Sequence, residues 1–367
     1  MAHHVRRDAP PAQKEPLVPT SPVTFYLPKL TDPSRFDDID PDLDWTPFRS
    51  ARGQSIPHTY VRLRQAGHDV EISNQVPSAG IVVVFAGDMR RFRATRPGHG
   101  RGRMIVVCVQ TDRRVPEVSL ADVIVQHNGL RADDRRRYFI PNWPQPGLVS
   151  RDQARGSTVR TISYKGDLAN LDRRFLTENW VRGLTERGLT FGIDAAVEEH
   201  DPRLAAVRGA IRIGSPREWS NYRDTDVILA VRPPRRDGYR HKPAVKLVNA
   251  WRAGVPALLG PERAYQELRR SELDYLEVTS PTAAIEALER ITADDSLYLE
   301  FIANGHRRAR DYSVESITAR WESLLFESLR HQPPPRLLRT AASLSVPPRR
   351  VGRGVGRRAS VLTRRWD

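Results

Sequence analysis

Cysteine is all but missing from this chain: Cys108 is the only one in 367 residues. No internal disulfide can form and no cysteine-based metal site can be built. Cys108 lies inside the apolar run Met104 to Val109 and reads as a core thiol. Long apolar runs are missing as well. Nothing approaches the roughly 18 uninterrupted apolar residues of a membrane span, and the first residues lack the basic-then-apolar layout of a signal peptide. The expectation is a cytoplasmic protein. Acidic residues are in deficit, 44 against 59 lysines and arginines, for a formal charge of +15. Lysine is scarce beside arginine, a bias that reads as coding composition rather than as selection for guanidinium chemistry.

Such a charge attracts nucleic acid, anionic lipid or phosphorylated substrates, and its position decides among them. From His331 onward nine arginines face one acid, Asp367, so about half of the excess lies in the last tenth of the chain. Single-strand nucleic-acid binders interleave aromatics with their cations, whereas this tail has Trp366 alone. No specific nucleic acid is expected as a partner. The tail reads as an inert disordered extension or as an attachment to an anionic membrane surface, which would make the protein peripheral at the inner face of the plasma membrane.

The length suits two domains of about 150 residues each. Residues 1–22 are rich in proline and charge without an apolar period, and 331–367 carry Pro333-Pro334-Pro335; both read as disordered. Between them, strand-like runs alternate with helix-like segments. Strands are expected at 23–27, 69–72, 81–85, 104–109 and 122–125 in a first unit, 23–150, and at 159–163, 190–193, 226–231 and 255–259 in a second, 151–330. Helices are expected at 56–68, 175–188, 243–253, 283–291 and 297–325. That order argues for an α/β protein whose parallel sheets carry helices on their faces. Pro144-Gln145-Pro146-Gly147 marks the boundary.

The segment richest in chemistry begins Asp237-Gly238-Tyr239-Arg240-His241-Lys242-Pro243 and ends Gly254-Val255-Pro256. Pro243 suits the first turn of a helix, and Gly254 followed by Pro256 supplies the stop. Lys242, Lys246 and Asn249 stand at i, i+4 and i+7 and share one helix face. A helix that follows a strand and a loop containing Gly238 presents free N–H groups and partial positive charge, the setting for a pyrophosphate. Lys242 and Lys246 strengthen that setting, and Asn249, one turn deeper, is placed for ribose hydroxyls. The competing reading of the two lysines is a solvated helix face.

Asn249-Ala250-Trp251-Arg252-Ala253-Gly254-Val255-Pro256-Ala257-Leu258 resembles the E-A-M-A-x-G-x-P-V-V segment of GT-B glycosyltransferases, the family 4-like group in particular. Gly67-His68-Asp69-Val70, Tyr138-Phe139-Ile140-Pro141-Asn142, Ile162-Ser163-Tyr164-Lys165-Gly166 and Tyr222-Arg223-Asp224-Thr225-Asp226-Val227 are similar to further motifs of that family, in the same order, over roughly residues 23–325. The resemblance implies two Rossmann-like domains facing each other across a cleft, the first for the acceptor and the second for a nucleotide-sugar. It implies transfer of a hexose to a hydroxyl of a glycan, lipid-linked or small-molecule acceptor, with no metal and no cofactor besides the donor. On the matching positions, Lys165, Gly166, Lys242 and Lys246 would hold the diphosphate, His241 the sugar or β-phosphate, and Asn249 the ribose. His241 and Asn249 stand where the family has paired glutamates, and the arginine that follows the first strand of the family's second domain is missing. A GT-B-shaped protein that binds a nucleotide or glycan without catalysis is therefore the alternative.

Two further residues stand at the carboxyl edges of strands, where α/β clefts form: His127, in Gln126-His127-Asn128-Gly129, and Asp88. Each is a candidate for catalysis, and a turn or capping role competes. Asp38 and Asp40 form a D-x-D that would suit a divalent metal, but they sit in an acidic loop without a flanking strand and read as solvated. Gly53-Gln54-Ser55 opens the first helix and borders the acceptor or the diphosphate, unless it is a plain helix start. Arg223 and Arg232 are weaker candidates.

Overall fold

The computed structural model describes residues 23–95, 104–111, 116–235 and 239–331; the expected leader and the basic tail beyond His331 lie outside them. Two six-stranded sheets, parallel throughout, organise these residues. In the first, β1 (Val23–Tyr26), β2 (Val70–Ser73), β3 (Gly80–Phe85), β4 (Met104–Gln110), β5 (Val123–Gln126) and β6 (Arg137–Phe139) lie in the order β2-β1-β3-β4-β5-β6. In the second, β7 (Thr161–Lys165), β8 (Thr190–Asp194), β9 (Arg212–Gly214), β10 (Val227–Ala230), β11 (Ala257–Leu259) and β12 (Leu276–Glu277) lie in the order β12-β11-β10-β7-β8-β9. The principal helices are α1 (Ala51–Ser55), α2 (Pro57–Gln65) and α3 (Met89–Thr95) in the first half. In the second come α4 (Glu178–Thr185), α5 (Val245–Ala253), α6 (Arg263–Leu268), α7 (Pro281–Thr292), α8 (Asp295–Ala309) and α9 (Val314–Glu322).

Strands β3 and β4 are β-branched runs at the centre of their sheet, so both of their faces are covered. Side chains alternate: Val83, Val107 and Val109 pack with Phe25 and Leu63, while Val82, Val84 and Cys108 pack with Met89 and Phe92 on the other face. Cys108 is fully buried, which pushes its thiol up and leaves it unreactive, as the sequence suggested. Strands β6, β9 and β12 escaped the sequence reading because two or three residues are too few to show a period. The helix expected at 56–68 is α2, which Pro57 opens at a position that needs no N–H, and α1 precedes it over Ala51–Ser55.

The helix expected at 297–325 also divides, at Ser313. Its hydroxyl accepts from the Ser316 N–H at 3.1 Å and caps α9 as a separate helix. The break turns the chain back onto the first half, where Ile317, Trp321, Leu324 and Leu325 join Phe36 and Leu63 in one core. Glu322 meets His68 Nε2 at 2.6 Å, and Phe326 stacks on the same imidazole with centroids 4.3 Å apart. By packing, the segment from Ile317 to Leu329 joins the first half, although in sequence it closes the second. Among the described residues no helix is long and apolar enough to cross a membrane.

The start of β7 and the linker are tied by Asp226, which is fully buried. Its carboxylate accepts from Arg151 Nε at 2.9 Å, from Arg155 Nη2 at 2.6 Å, and from the N–H groups of Arg160 and Thr161 at 2.8 and 2.9 Å. Burial pushes the Asp226 carboxyl up, but these donors outweigh it and hold the group below the usual carboxylate range. Asp226→Asn is therefore expected to destabilise the fold by about 3–5 kcal/mol at neutral pH, because two arginines lose their counter-charge. Because the folded group is the stronger acid, its contribution is present above the unfolded pKa and is lost as pH falls through the folded one. Urea unfolding of both proteins, at neutral and acid pH, checks the size and the convergence; equal midpoints at neutral pH would contradict the assignment.

Candidate functional site

The order of the second sheet reverses between β7 and β10, so the loops leaving their carboxyl ends diverge and open a crevice. Helix α5 begins above that crevice. Its start follows Pro243 and Ala244, and its end is set by Gly254, which adopts φ 69° and donates to the carbonyls of Ala250 and Trp251. Leu247, Val248, Ala250 and Trp251 are buried, so register alone directs Lys246 out of the first turn and into the crevice. The N–H groups of that turn have no partners inside the helix and point the same way.

The Lys246 amine rests beside Gly166, the residue after β7. Gly166 runs at φ 151°, a backbone region that favours glycine, and a methyl group there would stand 3.0 Å from Nζ. The Tyr164 ring lies 5.9 Å away from Nζ. Lys246 forms no salt bridge with any described residue. Burial, then the charges of Arg232 and Lys165, push its pKa down to about 7 against the opposing pull of Asp194 and Glu262. Beside it, Arg232 is held by Glu262 at 3.0 Å and by the Asn170 side chain, with its guanidinium over the Tyr239 ring at 5.3 Å.

Lys246 and Arg232 face a cavity of about 190 Å³ whose opposite wall comes from the first half: Trp45, Arg49 stacked on it at 4.1 Å, and Gln54. On its far side Arg232 also lines a groove of about 530 Å³ along the ends of β10 and β11, with Pro233, Tyr239, Gly260 and Glu262. A small cavity between the halves and a larger groove on the second half thus share one arginine as their common wall.

The structure brings together some of the residues singled out from sequence and separates others. Gly166 and Lys246 line the cavity. Lys242 does not share a helix face with Lys246: α5 starts at Val245, and Lys242 lies in the turn ahead of it, its N–H on the Tyr239 carbonyl at 2.9 Å. Lys242 still lies close enough to act on Glu262 electrostatically. His241 is half-buried in that turn and lines neither cavity nor groove, and Gly238 lies outside the described residues.

Lys165 is 1% exposed and bonded to Asp194 at 2.5 Å and to the Glu218 carbonyl at 3.2 Å, an internal counter-ion; the cavity it lines, with Asp194 and Arg212, is separate from that of Lys246. Asn249 is 2% exposed; the linker covers it, the Gln145 N–H reaching its Oδ1 at 3.4 Å. It lines a different pocket, of about 20 Å³, together with His127, whose Nδ1 meets the Ile140 carbonyl at 2.8 Å. That volume admits a water and not a sugar. Asp88 is clamped by both Arg52 nitrogens, Nε at 2.7 Å and Nη2 at 2.8 Å, and lines none of these cavities. Lys165, Asn249, His127 and Asp88 thus do not line the cavity beside Lys246, and Asn249 and His127 share a separate small pocket between the halves. Asp40 accepts from the Asp42 N–H at 2.8 Å, the local turn expected of a solvated loop.

Arg232 was undervalued in the sequence, and Arg49, Trp45 and Glu262 were missed. One signal was available. The chain has five lysines among its 59 basic residues, and three of them, Lys165, Lys242 and Lys246, fall around this crevice. In a chain that otherwise uses arginine, a compact ammonium marks a place where the flat guanidinium does not serve.

No protein-family model and no curated protein matches this sequence. Solved structures match it in fold. TarM is 10% identical over 68% of this chain and 56% of its own, with a TM-score of 0.52. HepE of Anabaena, in complex with UDP and glucose, is 13% identical over 77% of this chain and 84% of its own, with a TM-score of 0.52. Sucrose-phosphate synthase of Thermosynechococcus elongatus is 13% identical over 73% of this chain and 76% of its own, with a TM-score of 0.50. This chain thus spans little more than half of TarM, 56% of its length. These neighbours are GT-B proteins, and the likeness establishes the GT-B fold, two Rossmann-like halves facing a cleft. The family 4-like subdivision rests on the sequence motif alone.

The depressed basicity of Lys246 is open to direct measurement. Competitive acetylation followed by mass spectrometry is expected to show Lys246 half-reactive near pH 7, against about 10.4 for a lysine in water. A titration at the ordinary value would remove the claim that the ammonium is held without a counter-charge.

Proposed function

We propose that this chain is a glycosyltransferase that takes a nucleotide-sugar and transfers its sugar to an acceptor hydroxyl. The observation that carries the reading is the uncompensated Lys246 amine at the first turn of α5, in the crevice where the second sheet reverses. In this reading the diphosphate lies across Lys246 and Arg232, and the nucleoside follows the groove of about 530 Å³. The sugar points through the cavity of about 190 Å³ toward Arg49 and Gln54, where an acceptor enters from the first half.

The chemistry follows from that placement. Breaking the bond between the sugar and its phosphate leaves negative charge on the diphosphate, and cations aimed at that charge lower the barrier. A phosphate beside Lys246 raises the amine's pKa, so the ligand draws in the proton that the empty site holds weakly. Lys246, Arg232 and the α5 N-terminus together supply the stabilisation for which other transferases recruit a divalent cation, which supports a metal-independent reaction. Asp167 is the only carboxylate among the described residues that line the cavity, and its Oδ1 accepts from the Ala169 N–H at 2.9 Å. The acceptor is a glycan, a lipid-linked saccharide or a small molecule. For a lipid-linked one, the nine arginines after His331 would favour work at an anionic membrane surface in the cytoplasm.

Calorimetry of the purified protein against UDP, GDP, ADP and TDP and their sugar conjugates tests the reading. At least one is expected to bind, and Lys246→Ala to weaken it by at least ~1.5 kcal/mol. Affinity is expected to fall as pH rises above about 7, because binding must then take up a proton. An affinity indifferent to Lys246→Ala would sink the donor site, and binding without any sugar transfer would leave a nucleotide-binding protein.

A further inference from the structure

Ahead of the linker, the first half contributes Trp45, Arg49 and Gln54 to the cavity beside Lys246. Hydrogen-bond donors are in excess on this wall. An indole has an N–H and no acceptor, and a guanidinium carries only N–H groups. Gln54 has both kinds, but its Oε1 is engaged by Asn142 Nδ2 at 2.6 Å, which leaves the amide donors. The linker adds the Gln145 amide, which offers both. Arg49 is stacked over the Trp45 ring at 4.1 Å and forms no salt bridge with any described residue.

The carboxylates around this wall are occupied elsewhere. Asp42 bonds Arg62 at 2.9 Å, Asp44 accepts from the Thr46 N–H at 3.0 Å, and Asp88 is clamped by Arg52. None of them lines the cavity. Asp167, which does, belongs to the second half and caps the Ala169 N–H. Beyond Asp88 the charge stays positive: Arg90, Arg91 and Arg93 of α3 are exposed, and residues 89–103 include six arginines and no acid. On the opposite wall Lys246 and Arg232 are assigned to the diphosphate, so Arg49 is a cation in surplus on the acceptor side.

A neutral sugar both gives and accepts hydrogen bonds and leaves a wall of donors partly unmatched, whereas an anionic oxygen accepts only. A carboxylate or a phosphate also fits the planar fork of a guanidinium, which holds two oxygens at once. The stack on Trp45 fixes the plane of that fork before a ligand arrives. Resting on the donor site proposed above, we infer that the acceptor is an anionic saccharide and that Arg49 binds the carboxylate or phosphate it carries. Arg49 then selects charged acceptors over neutral ones, and Trp45 keeps it in position.

The test is a ligand-observed NMR titration of the full chain, alone and saturated with the nucleoside diphosphate that binds it. The probes are methyl glycosides of glucose, galactose and mannose, each as the neutral sugar, the uronate and the 6-phosphate, so that members of a set differ only at C6. In at least one set the uronate or the 6-phosphate is expected to bind about tenfold or more tightly than the neutral sugar, the range of a hydrogen bond between charged groups. Whichever anion is preferred separates carboxylate from phosphate. In Arg49→Gln the advantage is expected to shrink to about threefold or less with nucleotide affinity unchanged, and in Arg49→Lys, which keeps the charge and loses the fork, to fall in between. Equal binding within every set, binding of no probe, or an anion preference untouched by Arg49→Gln overturns the inference and leaves the donor site standing. A loss of nucleotide affinity in Arg49→Gln also overturns it, by assigning Arg49 to the donor. Failure of every nucleotide to bind overturns the donor site and the inference with it.

Discussion

The crevice between β7 and β10 contains more cations than carboxylates, and the way the shortage is distributed shapes the site. Asp194 serves two of them, Lys165 at 2.5 Å and Arg212 at 2.8 Å. Glu262 serves Arg232 at 3.0 Å. Lys246 is left over, beside Gly166. An ammonium in a half-buried place without a counter-charge either sheds its proton or waits for an anion.

Both halves of the molecule are needed to keep that arrangement open. Asn128, on the loop after β5, donates to the carbonyls of Arg240 at 2.8 Å and Lys242 at 3.2 Å, so the first half holds the turn that leads into α5. These bonds reach main-chain atoms of the turn. The return of α9 to the first core adds a second tether, through Trp321 and the His68–Glu322 pair. The cleft is thus spanned at its edges by structural contacts, while Arg49, Gln54 and Lys246 line its middle.

The departures from the family motif make physical sense together. With Asn249 where a glutamate is expected, the α5 residue one turn below Lys246 turns to the linker and to the contact between halves. An acid at that position, buried at 2% exposure beside Gln145, would need a donor that the linker supplies only as one N–H. The buried acid of this site is instead Glu262, reached from the next strand, and it arrives with its own arginine. Charge balance has been moved between elements and not simply lost.

What the sequence by itself determined is local. The β-branched runs of β3, β4 and β10, the alternation that implies parallel sheets, and the proline and glycine that bracket α5 are all set within a few residues, because period, cap and turn chemistry act over one or two turns. Lys246 was legible for the same reason, as a cation in the first turn of a helix after a buried strand. What only the tertiary structure decided is which polar group is satisfied. Lys165 and Lys246 both sit on motifs that suggest phosphate, yet Asp194, 29 residues from Lys165, claims one of them, and no described residue forms a salt bridge with the other. His127, Asp88 and Asn249 are likewise engaged by Ile140, Arg52 and Gln145 and stay out of the cavity beside Lys246. Glu262 carries no motif at all, and it meets Arg232 because the ends of β10 and β11 lie side by side. Burial and pairing are sums over neighbours far apart in the chain, and no window of sequence contains them.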